Sequence, residues 1–347
     1  MTEPLVRCGE LTRTLREASE RAARLASGLR ELGLAHNERC AIMMRNEPSF
    51  IEASLAATLL GAAPVPINWH WTGSDLGHLL RDSGAKVVIV HTDLLGAVEA
   101  QAPAGTVIVE AGVPEPVVES YRLSRVPLTP TGRHASLEAL IAQNDPVTQA
   151  NTTPSIGVIY TSGTTGLPKG VLRDPIAPEN VDRILDTMRG LLKINSGTRI
   201  LLPAPLYHAA PNANAMFAVA LGADLTIMPK FEAEEFLRLV QDLRIESVQM
   251  VPTMFHRLLQ LPRETRDAYN LSSLKAVVHA AAPCPAKTKQ AMIDWFGPII
   301  HEYYGGTETS ILVSCDSTEA LAHPGTVGKP VFGPTFAFST RMARCFR

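Results

Sequence analysis

Apolar residues recur along the chain in two alternating patterns, one typical of helices and one typical of buried strands. Apolar positions repeat at helical spacing from Leu15 to Leu32, and Gly33 ends this predicted helix. Residues 40–44 are a short apolar run that predicts a strand. The same pair of patterns then repeats, and Ser74 is placed to cap one of the helices. The further elements predicted in this half are helices at residues 48–60 and 74–82 and strands at residues 63–67 and 86–91.

The alternation resumes after a proline-rich connection at residues 114–130 and a short predicted helix at residues 137–142. The helical pattern at residues 181–192 is the clearest, with apolar residues on one face and charged residues on the other. The other elements predicted here are helices at residues 214–221, 234–243 and 285–296 and strands at residues 199–202, 225–228, 247–251, 274–279 and 299–303. Strands that alternate with helices predict an α/β fold with parallel sheet covered by helices.

Composition and charge narrow the class of protein. The chain has 347 residues, of which 46% are hydrophobic and 19% charged, as in a globular protein with a large core. A net charge of −2 provides no basic field for nucleic acid and no polybasic patch for a membrane, so we expect neither partner. Two long uncharged stretches, at residues 53–74 and 200–223, are interrupted by prolines, and we predict core rather than a transmembrane segment.

The five cysteines are scattered along the chain, odd in number and without a C-x-x-C pair. They are Cys8, Cys40, Cys284, Cys315 and Cys345. This pattern suggests neither a zinc site nor a disulfide framework, and it is typical of a reducing compartment. Charged residues interrupt the N-terminus, which therefore contains no apolar signal core. We expect a cytoplasmic protein.

A segment rich in glycine and hydroxyl side chains follows the apolar run at residues 156–160 and has the composition of a phosphate-binding loop. It consists of Thr161, Ser162, Gly163, Thr164, Thr165, Gly166, Leu167, Pro168, Lys169 and Gly170. Glycines let several backbone N–H groups face one anion, and Lys169 supplies a positive charge. The segment is not a Walker A loop, because Pro168 stands where that pattern requires its second glycine. A hairpin rich in glycine and threonine, or a flexible surface turn, is the alternative interpretation.

Unusual segments follow four of the predicted strands, at the position where ligands bind in parallel α/β sheets. They are the phosphate-loop segment, residues 203–208 ending in His208, the small-residue segment of Ala280, Ala281, Ala282 and Pro283, and the segment of Tyr304, Gly305, Gly306, Thr307 and Glu308. In the last of these, two glycines allow close approach of a planar group, Thr307 offers donors to phosphate, and Glu308 offers a carboxylate to Mg²⁺. By itself that segment is more consistent with a polar turn.

Taken together and in this order, residues 160–171 and 304–308 resemble the signature motifs of the adenylate-forming superfamily, which includes the acyl-CoA synthetases. The resemblance implies ATP, Mg²⁺ and coenzyme A as cofactors and a carboxylic acid as substrate. It implies catalytic roles for Lys169, Thr307 and Glu308, with Glu308 as the metal ligand. The cofactor-binding residues it implies are Thr161, Ser162, Gly163, Thr164, Thr165, Gly166, Lys169, Ala281, Ala282, Pro283, Tyr304, Gly305 and Thr307. The substrate pocket it implies consists of His208, Ala280, Tyr304 and Gly305.

The same resemblance indicates a branch of the superfamily and a fold. Amino-acid-activating members carry an acidic residue where this chain has Leu206, Tyr207 and His208, so we expect a fatty, aryl or polycyclic acid without an amino group. The fold implied is the large N-terminal domain, with helices on two mostly parallel sheets in αβαβα layers, an incomplete β-barrel subdomain, and no small C-terminal domain. No G-x-S-x-G or H-E-x-x-H motif occurs, in keeping with a reaction that needs no protein nucleophile.

The resemblance extends from about Leu11 to about Gly333. We therefore expect a large domain over residues 1–333, with sub-parts at 1–150 and 151–333, and an atypical tail at residues 334–347. The tail resembles no continuation of the family, which suggests a truncation or a change of reading frame and impaired activity. The alternative is a non-catalytic module that binds nucleotide or acyl groups. A Rossmann oxidoreductase is disfavoured because no G-x-G-x-x-G follows a strand.

Overall fold

Alternating helices and strands wind into two large sheets and one two-stranded ribbon. The computed structural model describes residues 3–124, 126–148, 157–161, 168–171, 178–307 and 310–331. The strands are β1 (Leu5–Cys8), β2 (Leu11–Thr14), β3 (Arg39–Met43), β4 (Ala63–Pro66), β5 (Val87–His91), β6 (Val107–Ala111), β7 (Ala135–Ser136), β8 (Ile159–Thr161), β9 (Lys169–Val171), β10 (Arg199–Leu202), β11 (Asp224–Ile227), β12 (Ser247–Met250), β13 (Ala276–His279), β14 (Ile300–Gly306), β15 (Ser310–Cys315) and β16 (Lys329–Pro330).

Helices cover these sheets. One apolar core is shared by the two large sheets, and each sheet also packs against a further core of its own. The helices are α1 (Leu15–Glu31), α2 (Pro48–Leu59), α3 (Gly73–Ser83), α4 (Leu95–Glu99), α5 (Glu115–Tyr121), α6 (Leu137–Gln143), α7 (Val181–Leu192), α8 (Ala209–Ala220), α9 (Ala233–Asp242), α10 (Pro252–Leu259), α11 (Arg263–Asp267), α12 (Ala286–Phe296) and α13 (Ser317–Ala322). None of these helices is both long and apolar enough to cross a bilayer.

The sheet topology confirms the predicted α/β class. The nine-stranded sheet has the order β16, β15, β14, β13, β12, β10, β11, β1, β2, and its strands from β14 through β1 are parallel neighbours. The five-stranded sheet, β4, β3, β5, β6, β7, is parallel throughout. Strands β8 and β9 pair with each other, antiparallel. The described residues contain no closed barrel.

Most predicted elements are confirmed to within a few residues, and the exceptions have physical causes. Helix α8 begins at Ala209, well before the predicted start, because Pro211 lies in the first turn, where a missing N–H removes no helical hydrogen bond. Ser74 does not cap α3. Thr72 occupies the cap position instead and makes no side-chain capping bond there. Helix α5 lies inside the predicted proline-rich connection, since Pro116 falls in its first turn.

A buried asparagine joins the five-stranded sheet to the nine-stranded sheet. Asn46 lies just beyond the end of β3, and its Nδ2 donates to the carbonyls of Ala204 (2.9 Å) and Met228 (3.1 Å). Its Oδ1 accepts from the backbone N–H of Leu206 at 2.8 Å. Ala204 and Met228 follow β10 and β11, so the side chain connects the carboxyl ends of strands in both sheets. A fully bonded amide replaces water at backbone groups that would otherwise be buried without partners.

A second buried polar group lies where β13, β14 and α12 meet. Lys289 of α12 and Glu302 of β14 form an ion pair, and His279 Nε2 lies 4.0 Å from Glu302 Oε2. His279 is fully buried beside the ring of Phe255, and neither of its ring nitrogens has a hydrogen-bond partner. Burial, and secondly the charge of Lys289, lower the pKa of His279 to about 3. The imidazole is therefore neutral across the physiological range.

Replacing Asn46 with alanine is expected to lower the free energy of unfolding by about 2–4 kcal/mol, because one N–H and two carbonyls lose their buried partner. Urea denaturation followed by circular dichroism measures the change. Asn270→Ala is the matched control, since the exposed side chain of Asn270 accepts a local bond from Ser272 N–H. Equal losses from the two variants would contradict a bridging role for Asn46.

His279 is expected to make folding stability depend on pH. The unfolded chain protonates this imidazole near its ordinary pKa of 6.5, whereas the folded chain does so only near 3. Its contribution is therefore complete above pH 6.5 and is lost as the pH falls from 6.5 towards 3, by up to about 1.4 kcal/mol per pH unit. His279→Leu should flatten the profile of unfolding free energy across that window. Parallel profiles for wild type and variant would refute the assignment.

Candidate active site at the carboxyl edge of the nine-stranded sheet

Three of the four predicted segments lie at one edge of the nine-stranded sheet. Strands β10, β12, β13 and β14 are consecutive parallel neighbours, so their carboxyl ends meet at the same edge. Residues 203–208 follow β10, residues 280–283 follow β13, and Tyr304 lies near the end of β14. The chain thus brings together residues that are about a hundred positions apart in sequence.

Hydrogen bonds fix the segment that carries His208. Besides its bond to Asn46, Leu206 accepts through its carbonyl from Asn212 Nδ2 at 2.9 Å. His208 donates its backbone N–H to Pro205 O at 3.2 Å and occupies the cap position of α8. Its ring lies 4.5 Å from the ring of Tyr207, centroid to centroid. Partial burial lowers the pKa of His208, which favours a neutral imidazole at this edge.

The small-residue segment presents a surface without bulky side chains. Ala280 is buried, whereas Ala281, Ala282 and Pro283 are exposed. Ala281 has a φ of +73°, a conformation that L residues adopt rarely and that is common at binding sites. His279 stands opposite Glu302 in the sheet register, and Ala281 and Tyr304 each follow two residues later in the chain. Small exposed side chains and Tyr304, which is 57% exposed, suit a planar ligand.

The segment at residues 304–308 was predicted to follow the strand, but its first three residues continue that strand. Tyr304, Gly305 and Gly306 are the last residues of β14 and pair antiparallel with β15, with a register shift between Tyr304 and Gly305. Pairing with β15 keeps the backbone extended, so the glycines form an exposed strand end instead of a loop. Thr307 is half-buried in the turn that follows. Glu308, the predicted metal ligand, lies outside the described residues.

The two ends of the phosphate-loop segment lie in a two-stranded ribbon, and not at the edge of a parallel sheet as predicted. Thr161 ends β8 and Lys169 begins β9, and the two residues pair across an antiparallel ribbon. The upstream apolar residues Val158 and Tyr160 are buried in the core beside the five-stranded sheet. The strand prediction was correct, but β8 pairs with an antiparallel partner ten residues later and not with a strand of either large sheet. Lys169 is exposed. Ser162, Gly163, Thr164, Thr165 and Gly166 lie outside the described residues.

A buried charge cluster beyond β3 was missed by the sequence analysis. Arg45 pairs with Asp93 at 2.6 Å, and its guanidinium lies 4.6 Å from the ring of Trp69 and 4.8 Å from that of Tyr121. A polar triplet at residues 45–47 directly after an apolar strand was the available signal. The rings and the carboxylate offset the cost of burying the guanidinium, and the cluster fixes the backbone on both sides of Asn46.

Hydrogen bonds beside this cluster determine the tautomer of His91. Its Nδ1 accepts from the backbone N–H of Arg45 at 3.2 Å, so the proton must lie on Nε2, which contacts Glu47 Oε1 at 3.1 Å. Burial disfavours the charged form of Glu47, but the interaction with His91, the hydrogen bond from the backbone N–H of Ser49 and the charge of Arg13 together outweigh it, and the pKa of Glu47 is lowered. Residues 45–47 thus form a rigid polar segment facing the nine-stranded sheet.

The side chains of the candidate site bear on both of the predicted ligands, nucleotide and metal. Ala281 and Ala282 are exposed and carry only a methyl group, so neither would obstruct a planar base. In the parts of the chain that the structure describes, no group of three or more His, Cys, Asp and Glu side chains is arranged to hold a metal ion. Magnesium binding through Glu308 therefore stays a prediction.

Comparison with known proteins agrees with this geometry. A family model described as AMP-binding enzyme matches residues 3–337. A feruloyl-CoA synthase of Amycolatopsis sp is 32% identical over 333 residues, which are 94% of this chain and 61% of that protein. The long-chain-fatty-acid–CoA ligase FadD13 of Mycobacterium tuberculosis is 30% identical over 245 residues, 70% of this chain and 44% of that protein. The chain thus spans roughly half of the length of these curated relatives.

Solved structures show the same fold. The anthranilate CoA ligase AuaEII in complex with anthranoyl-AMP matches with a TM-score of 0.79 and 22% identity, covering 96% of this chain and 61% of its own. Apo MatB from Rhodopseudomonas palustris matches with a TM-score of 0.78 and 22% identity, covering 95% and 62%. With a family match over nearly its whole length, this chain belongs to the AMP-binding enzymes of the adenylate-forming superfamily.

Proposed function

We propose that this chain binds ATP and a carboxylic acid for the formation of an acyl-adenylate and then an acyl-CoA thioester. One observation carries the proposal: the carboxyl ends of β10, β13 and β14 bring His208, the small-residue segment and Tyr304 to one edge of a sheet in an AMP-binding enzyme. Curated relatives of the chain are CoA ligases of aryl and fatty acids, which supports the same class of reaction.

We assign a role in binding to each of these segments. Ala281, Ala282 and Pro283 would face the adenine together with Tyr304 and Gly305, where side-chain bulk would exclude the base. Thr307 would donate to the α-phosphate, and Lys169 would hold the phosphates. The remaining phosphate contacts would come from Thr161, Ser162, Gly163, Thr164, Thr165 and Gly166. Ala280 and His208 would border the acid. The carboxylate of the acid would lie at Tyr304 and Gly305, where the pocket for the acid meets the pocket for adenine.

The chemistry requires charge control more than it requires a protein nucleophile. A carboxylate must approach an α-phosphate that is already negative, so N–H donors and a lysine have to offset the charge that both bring. Lys169 and Thr307 supply such groups. Mg²⁺ held by Glu308 would neutralise charge on the leaving pyrophosphate. Because the pKa of His208 is lowered, its imidazole is neutral and does not change its protonation state beside the acid.

The substrate class we propose is a fatty, aryl or polycyclic acid without an amino group. An α-amino acid would need an anionic partner for its ammonium, and residues 203–208 contain no acidic side chain. We also propose a reducing, cytoplasmic location, because the four cysteines in the described residues are unpaired and three of them are buried.

ATP binding to the purified chain is the first test, measured by titration calorimetry in the presence of Mg²⁺. The chain should bind ATP, and Lys169→Ala should weaken binding by about tenfold or more, since a cation on phosphate is lost. Lys275→Ala serves as the control, because Lys275 immediately precedes β13 at the opposite edge and pairs with Glu246 on the surface. Absence of ATP binding, or equal effects of both variants, would contradict the proposal.

Exchange of labelled pyrophosphate into ATP is the second test, and it should depend on an added acid such as ferulate, 4-coumarate or palmitate. Exchange that is independent of any added acid would contradict activation of a carboxylic acid. ATP binding without any acid-dependent exchange would favour a non-catalytic binding module instead.

A further inference from the structure

The ribbon of β8 and β9, which carries both ends of the phosphate-loop segment, is held by helix α3. Two side chains of α3 reach it, His78 and Asp82. They are four residues apart, so they lie next to each other on one face of the helix. The opposite face of α3 is buried through Leu76, Leu79 and Leu80 in the core of the five-stranded sheet. The helix is therefore a rigid platform for the ribbon.

The first contact fixes β8. Tyr160 Oη donates to Asp82 Oδ2 at 2.6 Å, a short bond to a charged acceptor. The Tyr160 ring is buried in the core beside the five-stranded sheet, while Asp82 itself is exposed. Burial, followed by the hydrogen bond and charge of Asp82, raises the pKa of Tyr160, so the phenol keeps the proton that it donates. Tyr160 immediately precedes Thr161, the first residue of the phosphate-loop segment.

The second contact fixes the other end of the segment. His78 Nε2 lies 3.0 Å from the carbonyl oxygen of Pro168. A carbonyl only accepts, so Nε2 carries the proton and donates it. Pro168 immediately precedes Lys169, the proposed phosphate ligand. Residues on both sides of positions 162–167 are thus bonded to one face of one helix.

Two glycines permit the ribbon to lie this close to its neighbours. A Cβ at Gly170 would stand 2.8 Å from the Tyr160 ring and one at Gly157 would stand 2.9 Å from the carbonyl oxygen of Pro64, both closer than real side chains come. Beside Gly157, Val158 donates its N–H to the same carbonyl at 2.9 Å. The ribbon therefore packs closely between β4 and α3.

We infer that His78 and Asp82 are positioning residues for the nucleotide site: through Pro168 and Tyr160 they hold the two ends of the phosphate-loop segment, and with them Lys169, in the arrangement that binds phosphate. The inference rests on the proposed function for its ligand. Neither residue touches the nucleotide. Without the α3 contact, Thr161 and Lys169 are held less firmly in that arrangement, and part of the binding energy is spent on restoring it, which weakens the measured affinity.

Tyr160→Phe tests this with little disturbance, because it removes one hydroxyl and keeps the buried ring. Binding of ATP, measured by calorimetry, should weaken about threefold to tenfold, as expected for the loss of one hydrogen bond to a charged group at a partly exposed position. Asp82→Ala should behave in the same way. Asp82→Asn should bind close to wild type, because the amide oxygen still accepts from the phenol.

Tyr269→Phe is the matched control, since Tyr269 also donates to an exposed carboxylate, that of Glu234 at 3.0 Å, in a different part of the molecule. It should leave ATP affinity unchanged, and melting temperatures of all four variants should stay close to wild type. Unchanged affinity in both Tyr160→Phe and Asp82→Ala would overturn the inference. So would equal weakening by Tyr269→Phe, because that would indicate a general effect on stability.

Amide hydrogen exchange separates this inference from the proposed function. In the absence of nucleotide, residues 158–171 should exchange faster in Tyr160→Phe and Asp82→Ala than in wild type and Tyr269→Phe, since local opening costs less without the contact. A wild-type chain that binds no ATP would refute the proposed function. The exchange rates would then decide the α3 contact by themselves: faster exchange supports it, and unchanged exchange overturns it.

Discussion

Satisfying buried backbone groups where two sheets meet is the constraint on which the rest of the structure depends. Strands β3, β10 and β11 all end in the interior, and the groups just beyond those ends cannot reach water. Asn46 meets this need with one side chain, donating to Ala204 O and Met228 O and accepting from Leu206 N–H. An apolar residue at position 46 would leave these three backbone groups without partners. The free-energy cost would be a large part of the free energy of unfolding of a domain.

The same constraint shapes the candidate site. The segment that ends in His208 is held by Asn46. The buried ion pair of Lys289 with Glu302 ties helix α12, which follows the small-residue segment, to the strand that bears Tyr304. Helix α3 holds the ribbon of β8 and β9 through two hydrogen bonds. In each case polar side chains bonded inside the fold support a segment proposed to face ligand. Such support limits how far the exposed segments can move before ligand arrives.

Sequence patterns predicted individual elements well where one local rule decided them. Strand β10 was predicted with its observed bounds, and α7 likewise, because apolar periodicity and burial agree there. The prediction that Ser74 caps α3 was wrong, because several residues near the start of this helix suit the cap position. Only the packing of the helix selects among them. Helix α5 was missed because prolines at residues 114 and 116 indicate a loop, although proline in a first helical turn costs little.

By itself the sequence determined the α/β class, the family motifs and the position of most strands, because hydrophobic period and residue chemistry are local properties. Tertiary structure alone decided that helix α3 holds both ends of the phosphate-loop segment, that Tyr304 lies in a paired strand end, and that Asn46 bridges the sheets. Each of these depends on a partner elsewhere in the chain: β15 for Tyr304, α3 for the ribbon, and the ends of β10 and β11 for Asn46. Long-range pairing leaves no periodic signal in the residues that make it.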